Sequence, residues 1–168
     1  MQRRTLLKLG LGASLALAAA GGAVVLMRPA MEAGRLRPGA RAVMLAVAQA
    51  VLDGALPTEP AARAAALDGH LQRRETAIAA FPMPTQAELS QLLALLSSPP
   101  GRIALAGLST DWPEATVPQV QAALQGMRLS SLALQQQAYH ALRDLSNAAY
   151  FSDPSAWSHL GYPGPTDI

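Results

Sequence analysis

Three histidines, His70, His140 and His159, are the side chains of this 168-residue chain best suited to proton transfer near neutral pH or to holding a metal. They fall in separate segments, with no His-x-x-x-His or Glu-x-x-His pair on a common helix face. His140 and Asp144 stand four residues apart, the spacing of a local ion pair on a helix. A site built from His140, Asp144, Asp153 and His159 would require the fold to bring separate segments together. Ser97-Ser98 and Ser130-Ser131 lie where helices start or end, outside any Gly-x-Ser-x-Gly elbow, so capping is their expected role. Gly10-x-Gly12 and Gly161 to Gly164 form no phosphate-cradling loop, and Met44, Met83 and Met127 are dispersed as core-filling methionines are. The chain has no cysteine, which excludes disulfides, thiolate metal sites, iron–sulfur ligation and Cys-x-x-Cys-His haem attachment. No catalytic, cofactor-binding or metal-ligating set emerges.

The elements that would position these side chains read as helices. Pro38 suits a first helical turn, and Leu45, Ala48, Val51, Leu52 and Leu56 recur at three- and four-residue intervals until Gly54 and Pro57. Thr58 is the expected N-cap of a second helix with Pro60 in its first turn and Leu67, Leu71, Ile78 and Phe81 on its apolar side. Thr85-Gln86-Ala87-Glu88 has the form of a capping box opening a third helix, which should end at Pro99-Pro100-Gly101. Ile103 to Leu108 reads as a short apolar turn. Thr116 to Gln119 repeats the capping-box form before Val120, Ala123, Leu124 and Met127, with Gly126 expected to bend or end that helix. Leu129 to Tyr150 is the longest periodic segment, with Leu132, Leu134, Ala138, Tyr139, Leu142, Leu145 and Ala149 near helical spacing. From Asp153 onward, Pro154, Pro163 and Pro165 forbid continuous helix. No segment alternates like a strand. The expected architecture is all-α: about five helices in one domain, residues 34–168, after an N-terminal signal or anchor over 1–33, with an irregular Pro/aromatic tail.

Apolar residues make up 51% of the chain and charged residues 14%, enough to build a core in the roughly 135 residues that follow the leader. The formal charge of +2 is misleading, because Arg3, Arg4, Lys8 and Arg28 precede Gly34 and face only Glu32 there. From Gly34 onward nine arginines meet ten acids, a balance that excludes an ordinary nucleic-acid-binding domain. The opening Gln2 to Lys8 resembles a twin-arginine (Tat) export signal. Arg3, Arg4, Leu7 and Lys8 match the usual Ser/Thr-Arg-Arg-x-Phe-Leu-Lys, while Gln2 and Leu6 depart from it. That resemblance implies export of a folded cargo through the Tat translocase. Leu9 to Met27 carries no charge and fits the apolar region of such a leader. Ala18-Ala19-Ala20 offers a cleavage site before Gly21, and Ala33 a poorer one with Met31 at −3; uncleaved, the run is long enough to anchor the protein in the inner membrane.

Tyr150, Phe151, Trp157 and Tyr162 are four of the seven aromatics and lie together near the C-terminus, beside a proline-fixed backbone. Such side chains must lie either against the protein's own helices or against a partner. Here the chain resembles the small Tat-leader proteins related to gluconate 2-dehydrogenase subunit 3. The resemblance rests on Trp112-Pro113-Glu114-Ala115, Arg128, Gln137-x-x-His140-x-Leu142, Tyr150-x-x-Asp153-Pro154-x-x-Trp157 and Gly161-Tyr162-Pro163-Gly164-Pro165. It implies a non-catalytic accessory subunit that accompanies a large flavoprotein dehydrogenase of the glucose–methanol–choline type, acting on a sugar or alcohol, with FAD in that partner. It supplies no catalytic residue. Arg128, Tyr150, Trp157 and Tyr162 are the expected partner interface, since aromatics and arginine most often anchor interfaces. The competing expectation is a stand-alone periplasmic helical protein with a structural or ligand- or metal-binding role.

Overall fold

The segment from Pro38 to Val51 carries one charged side chain, Arg41, and is otherwise almost wholly small or aliphatic. Such a helix is stable only when surrounded. In the computed structural model, which describes residues 28–32, 34–157 and 161–164, it becomes the central helix α1. Ala40, Val43, Met44, Ala46, Val47, Ala48 and Ala50 are all buried in it. Around it pack α2 (Pro60–Ala79), α3 (Met83–Ser97), α5 (Val117–Leu129) and α6 (Ala133–Phe151). Two short helices, α4 (Pro99–Ala106) and α7 (Pro154–Trp157), complete seven helices among the described residues. The all-α expectation holds, and these two account for the difference from five.

A two-residue antiparallel pair, β1 (Met31–Glu32) and β2 (Arg35–Leu36), precedes α1 in register Met31 with Leu36 and Glu32 with Arg35. It is too short to leave an alternation pattern in sequence. Ala30 and Leu36 are buried in the main core, so the fold uses residues on both sides of position 34. The Ala30 N–H donates to Ser90 Oγ of α3 at 3.1 Å, tying this entry segment to the bundle.

Several local readings change in the structure. Glu59, not Thr58, caps α2, its carboxylate accepting from the N–H groups of Ala61 and Ala62 at 3.0 and 2.6 Å. A carboxylate at that end also complements the helix dipole. Thr85 forms no capping box, because α3 starts at Met83 with Pro84 in its first turn, where the missing N–H costs nothing. Gln86 instead donates to the carbonyls of Ala79 and Phe81, closing the end of α2. Pro99-Pro100 ends α3 and begins α4, which Ser98 caps by accepting from the Gly101 N–H at 3.2 Å. Any side chain at Gly101 would collide with the Leu95 carbonyl, so only glycine fits this reversal. Gly107, at φ 64°, closes α4 in the left-handed conformation, which turns the expected Ile103 to Leu108 turn into helix plus cap. Gly126 does not end α5, which runs on to Leu129. The Thr116 capping box forms as expected, with both of its reciprocal bonds.

Candidate interaction surface

Helix α6 presents two faces. Ala138, Leu142, Leu145, Ser146 and Ala149 are buried against the bundle, whereas Leu134 and Phe151 are 54% and 47% exposed. Leu134, Ala141, Ala148 and Phe151 fall at helical spacing, so the exposed side of α6 carries a second apolar stripe. Leu132 and Leu134, both near the helical spacing of this segment, are 60% and 54% exposed. Both α3 and α6 pack on α1, and the channel between them stays open. Phe81, Leu89 and Leu92 form its far wall and Leu134, Ala138, Ala141, Leu145 and Ala148 its near wall, enclosing about 740 Å³. Thr85, Glu88, Gln137 and Asp144 supply its polar atoms. Met83, at the start of α3, is 75% exposed. An open apolar channel between two helices suits an apolar segment of another chain.

The tail aromatics fold partly onto the protein. Tyr150 is half-buried against the small cluster of Ala48, Leu52, Leu56 and Leu67. Trp157 donates its indole N–H to the Phe151 carbonyl at 2.7 Å and meets Tyr162 edge to face at 5.6 Å. Tyr162 itself is half exposed. Arg73 anchors the turn between α6 and α7 through Asp153 at 3.0 Å and the Ala149 carbonyl at 2.9 Å. The structure thus brings Tyr150, Trp157 and Tyr162 to one end of the molecule. Arg128 is exposed at the end of α5, with its hydrogen bond local, to Gln125 at 3.0 Å. The export-signal residues Arg3, Arg4, Leu6, Leu7 and Lys8 lie outside the described residues, as does His159.

The alternative site of His140, Asp144 and Asp153 does not assemble. His140 is exposed and lies against the edge of the Tyr139 ring. Asp144 pairs with its neighbour Arg143 at 2.7 Å rather than with His140, because the guanidinium reaches it with two donors. Asp153 is held by Arg73. Among the described residues no three His, Cys, Asp or Glu side chains are grouped to hold a metal. Nor is any described helix long and apolar enough to cross a membrane.

Two buried polar features escaped the sequence reading. Arg74 is fully buried, donating to the Met44 carbonyl at 2.6 Å and to the Ser146 hydroxyl, with no carboxylate among its described partners. Burial pushes its pKa down to about 9, which leaves it cationic at neutral pH. His70, one turn earlier, is 1% exposed, and both ring nitrogens lack a partner among the described residues. Burial, reinforced by Arg74 and Arg73, pushes its pKa down to about 3, so the ring is neutral. Both residues sit on the Leu67, Leu71, Ile78 stripe, and that position was the available signal. At the other end, Arg102 holds the loop after α4 through the Leu108 and Ser109 carbonyls and Asp111. Trp112, 2% exposed, donates to the Leu96 carbonyl at 2.7 Å.

Compared with known protein families, curated proteins and solved structures, the chain matches none.

Proposed function

We propose that this protein is an exported, non-catalytic accessory subunit that binds a folded flavin-dependent dehydrogenase of the glucose–methanol–choline type. The observation that carries this reading is the open apolar channel between α3 and α6, with Phe81 and Leu134 at its walls. The channel is a groove between two helices, lined mainly by apolar side chains, which is the shape that receives an apolar helix of another chain. The Tat-like leader and the tail motifs supply the identity of the partner. Flavin is inserted before export, so a flavoprotein has to cross folded, and a small folded subunit with a leader can carry it.

The mechanism is linkage. A subunit that binds only the folded, FAD-loaded enzyme stabilises that state and makes export conditional on it. Tyr150, Trp157, Tyr162 and Arg128 extend the proposed contact beyond the channel, the aromatics through the Phe151 end of α6. Cleavage after Ala20 would leave β1 in place, whereas cleavage after Ala33 would remove it together with the buried Ala30. Cleavage at the first site keeps the described fold whole, and an uncleaved leader would keep the complex at the inner membrane.

Affinity purification of C-terminally tagged protein from periplasm and membrane, with an absorption spectrum of the eluate, tests this reading. A large second chain with a flavin spectrum is the expected result. A colourless, solitary protein from both fractions would overturn the stable-subunit form of the proposal.

A further inference from the structure

A second, smaller cleft of about 270 Å³ lies between the α1–α2 loop, α2 and the α6–α7 turn. Leu56, Pro57 and Ala66 give it apolar walls, and Gly69 and His70 line its α2 side. Glycine in the interior of a 20-residue helix weakens that helix relative to alanine. Here it also leaves space: a Cβ on Gly69 would meet only the Arg73 guanidinium held by Asp153, at 3.4 Å, an ordinary van der Waals distance. Beside it, His70 brings two ring nitrogens into the interior without a partner among the described residues. Buried polar atoms are ordinarily hydrogen-bonded, and an exception beside a cleft points to an absent partner.

We infer that this cleft binds a small uncharged molecule whose head group both donates and accepts hydrogen bonds, an alcohol or a primary amide, with His70 as the recognising side chain. The charges in the cleft exclude ions. Arg73 is already engaged by Asp153, and that carboxylate, which also lines the cleft, opposes an anion. Arg73 and Arg74, close to His70 on the same helix, oppose a cation. A neutral imidazole presents either an N–H or a lone pair according to its tautomer, and a hydroxyl or amide answers either. The apolar walls suit a short hydrocarbon body, and a volume below the roughly 300 Å³ of ordinary ligand pockets keeps the occupant small. This inference is independent of the proposed flavoprotein partner.

The test is titration of the purified full-length chain with butan-1-ol, butanamide, butyrate and butylammonium, following the His70 ring nitrogens by NMR. Saturable shifts with butanol or butanamide are expected, and whichever probe produces them separates alcohol from amide. Gly69→Leu, which fills the cleft without altering His70, should abolish the shifts while keeping the melting temperature at or above that of the unsubstituted protein. Gly69→Ala provides a milder filling should the leucine variant fail to fold. The inference is overturned if neither neutral probe moves His70, if butyrate or butylammonium binds there, or if filling the cleft leaves the shifts intact.

Discussion

At the scale of single residues, His70 and Arg74 make the stability of the protein depend on pH and on side-chain volume in separable ways. The His70 pKa falls from an ordinary 6.5 to about 3 on folding, so between those values the unfolded chain binds a proton that the folded chain does not. Stability is then fully present above pH 6.5 and is lost as pH falls toward 3, at about 1.4 kcal/mol per pH unit. The carboxylates whose pKa values are lowered, Glu59 and Asp153, lose their contribution only below ordinary values of 4.5 and 3.8. Denaturant melts between pH 6.5 and 5 therefore report on His70, and His70→Gln should flatten the slope there. Arg74 carries a buried charge with no carboxylate among its described partners, so its methylene stem and its charge act in opposition. Arg74→Ala should cost about 2–4 kcal/mol through the cavity it leaves. Arg74→Met should stay within about 1 kcal/mol of the unsubstituted protein or exceed it, since it keeps the volume and removes the charge. Equilibrium unfolding of the two variants distinguishes these effects.

At the scale of elements, the same Thr-x-x-Glu/Gln signature occurs twice and is used once. Thr116 and Gln119 bond reciprocally at the start of α5, whereas Thr85 lies inside the first turn of α3. Thr116→Ala should cost about 1 kcal/mol, and Thr85→Ala should fall within about 0.5 kcal/mol of zero, both by denaturant melts. The difference was not legible in the motif itself. It follows from Pro84, which is preorganised for a first turn and moves the helix start upstream of Thr85. The five long helices were legible because each carries a buried stripe at 3.6-residue period over three or more turns. Helix α4 was not, because eight residues give too little periodicity and Pro99-Pro100 is as good a start as it is a stop. Leu134 shows the other limit of the pattern: on α6 two apolar stripes coexist, and periodicity alone does not say which one faces the bundle.

At the scale of the whole molecule, the two tryptophans divide the labour between core and surface. Trp112→Ala should destabilise by about 3–5 kcal/mol, since the ring is buried and its N–H is bonded to the Leu96 carbonyl. Trp157→Ala should cost only about 1 kcal/mol in the isolated protein, because its ring lies on the partly exposed tail. Thermal melts of both variants check this, and a complex weakened by Trp157→Ala at nearly unchanged melting temperature would place the tail in the interface. The sequence indicated the tail aromatics through composition, but the channel between α3 and α6 depends on how two distant helices diverge on α1, which no local pattern records. The most direct measurement is capture of a flavin-containing dehydrogenase by tagged protein, compared with a Leu134→Glu/Ala148→Arg variant matched in melting temperature. Both positions are exposed in the channel, so the fold should tolerate the charges. Loss of flavin and of the large chain from the variant eluate is the predicted result, and equal capture by both proteins, or by neither, would contradict it.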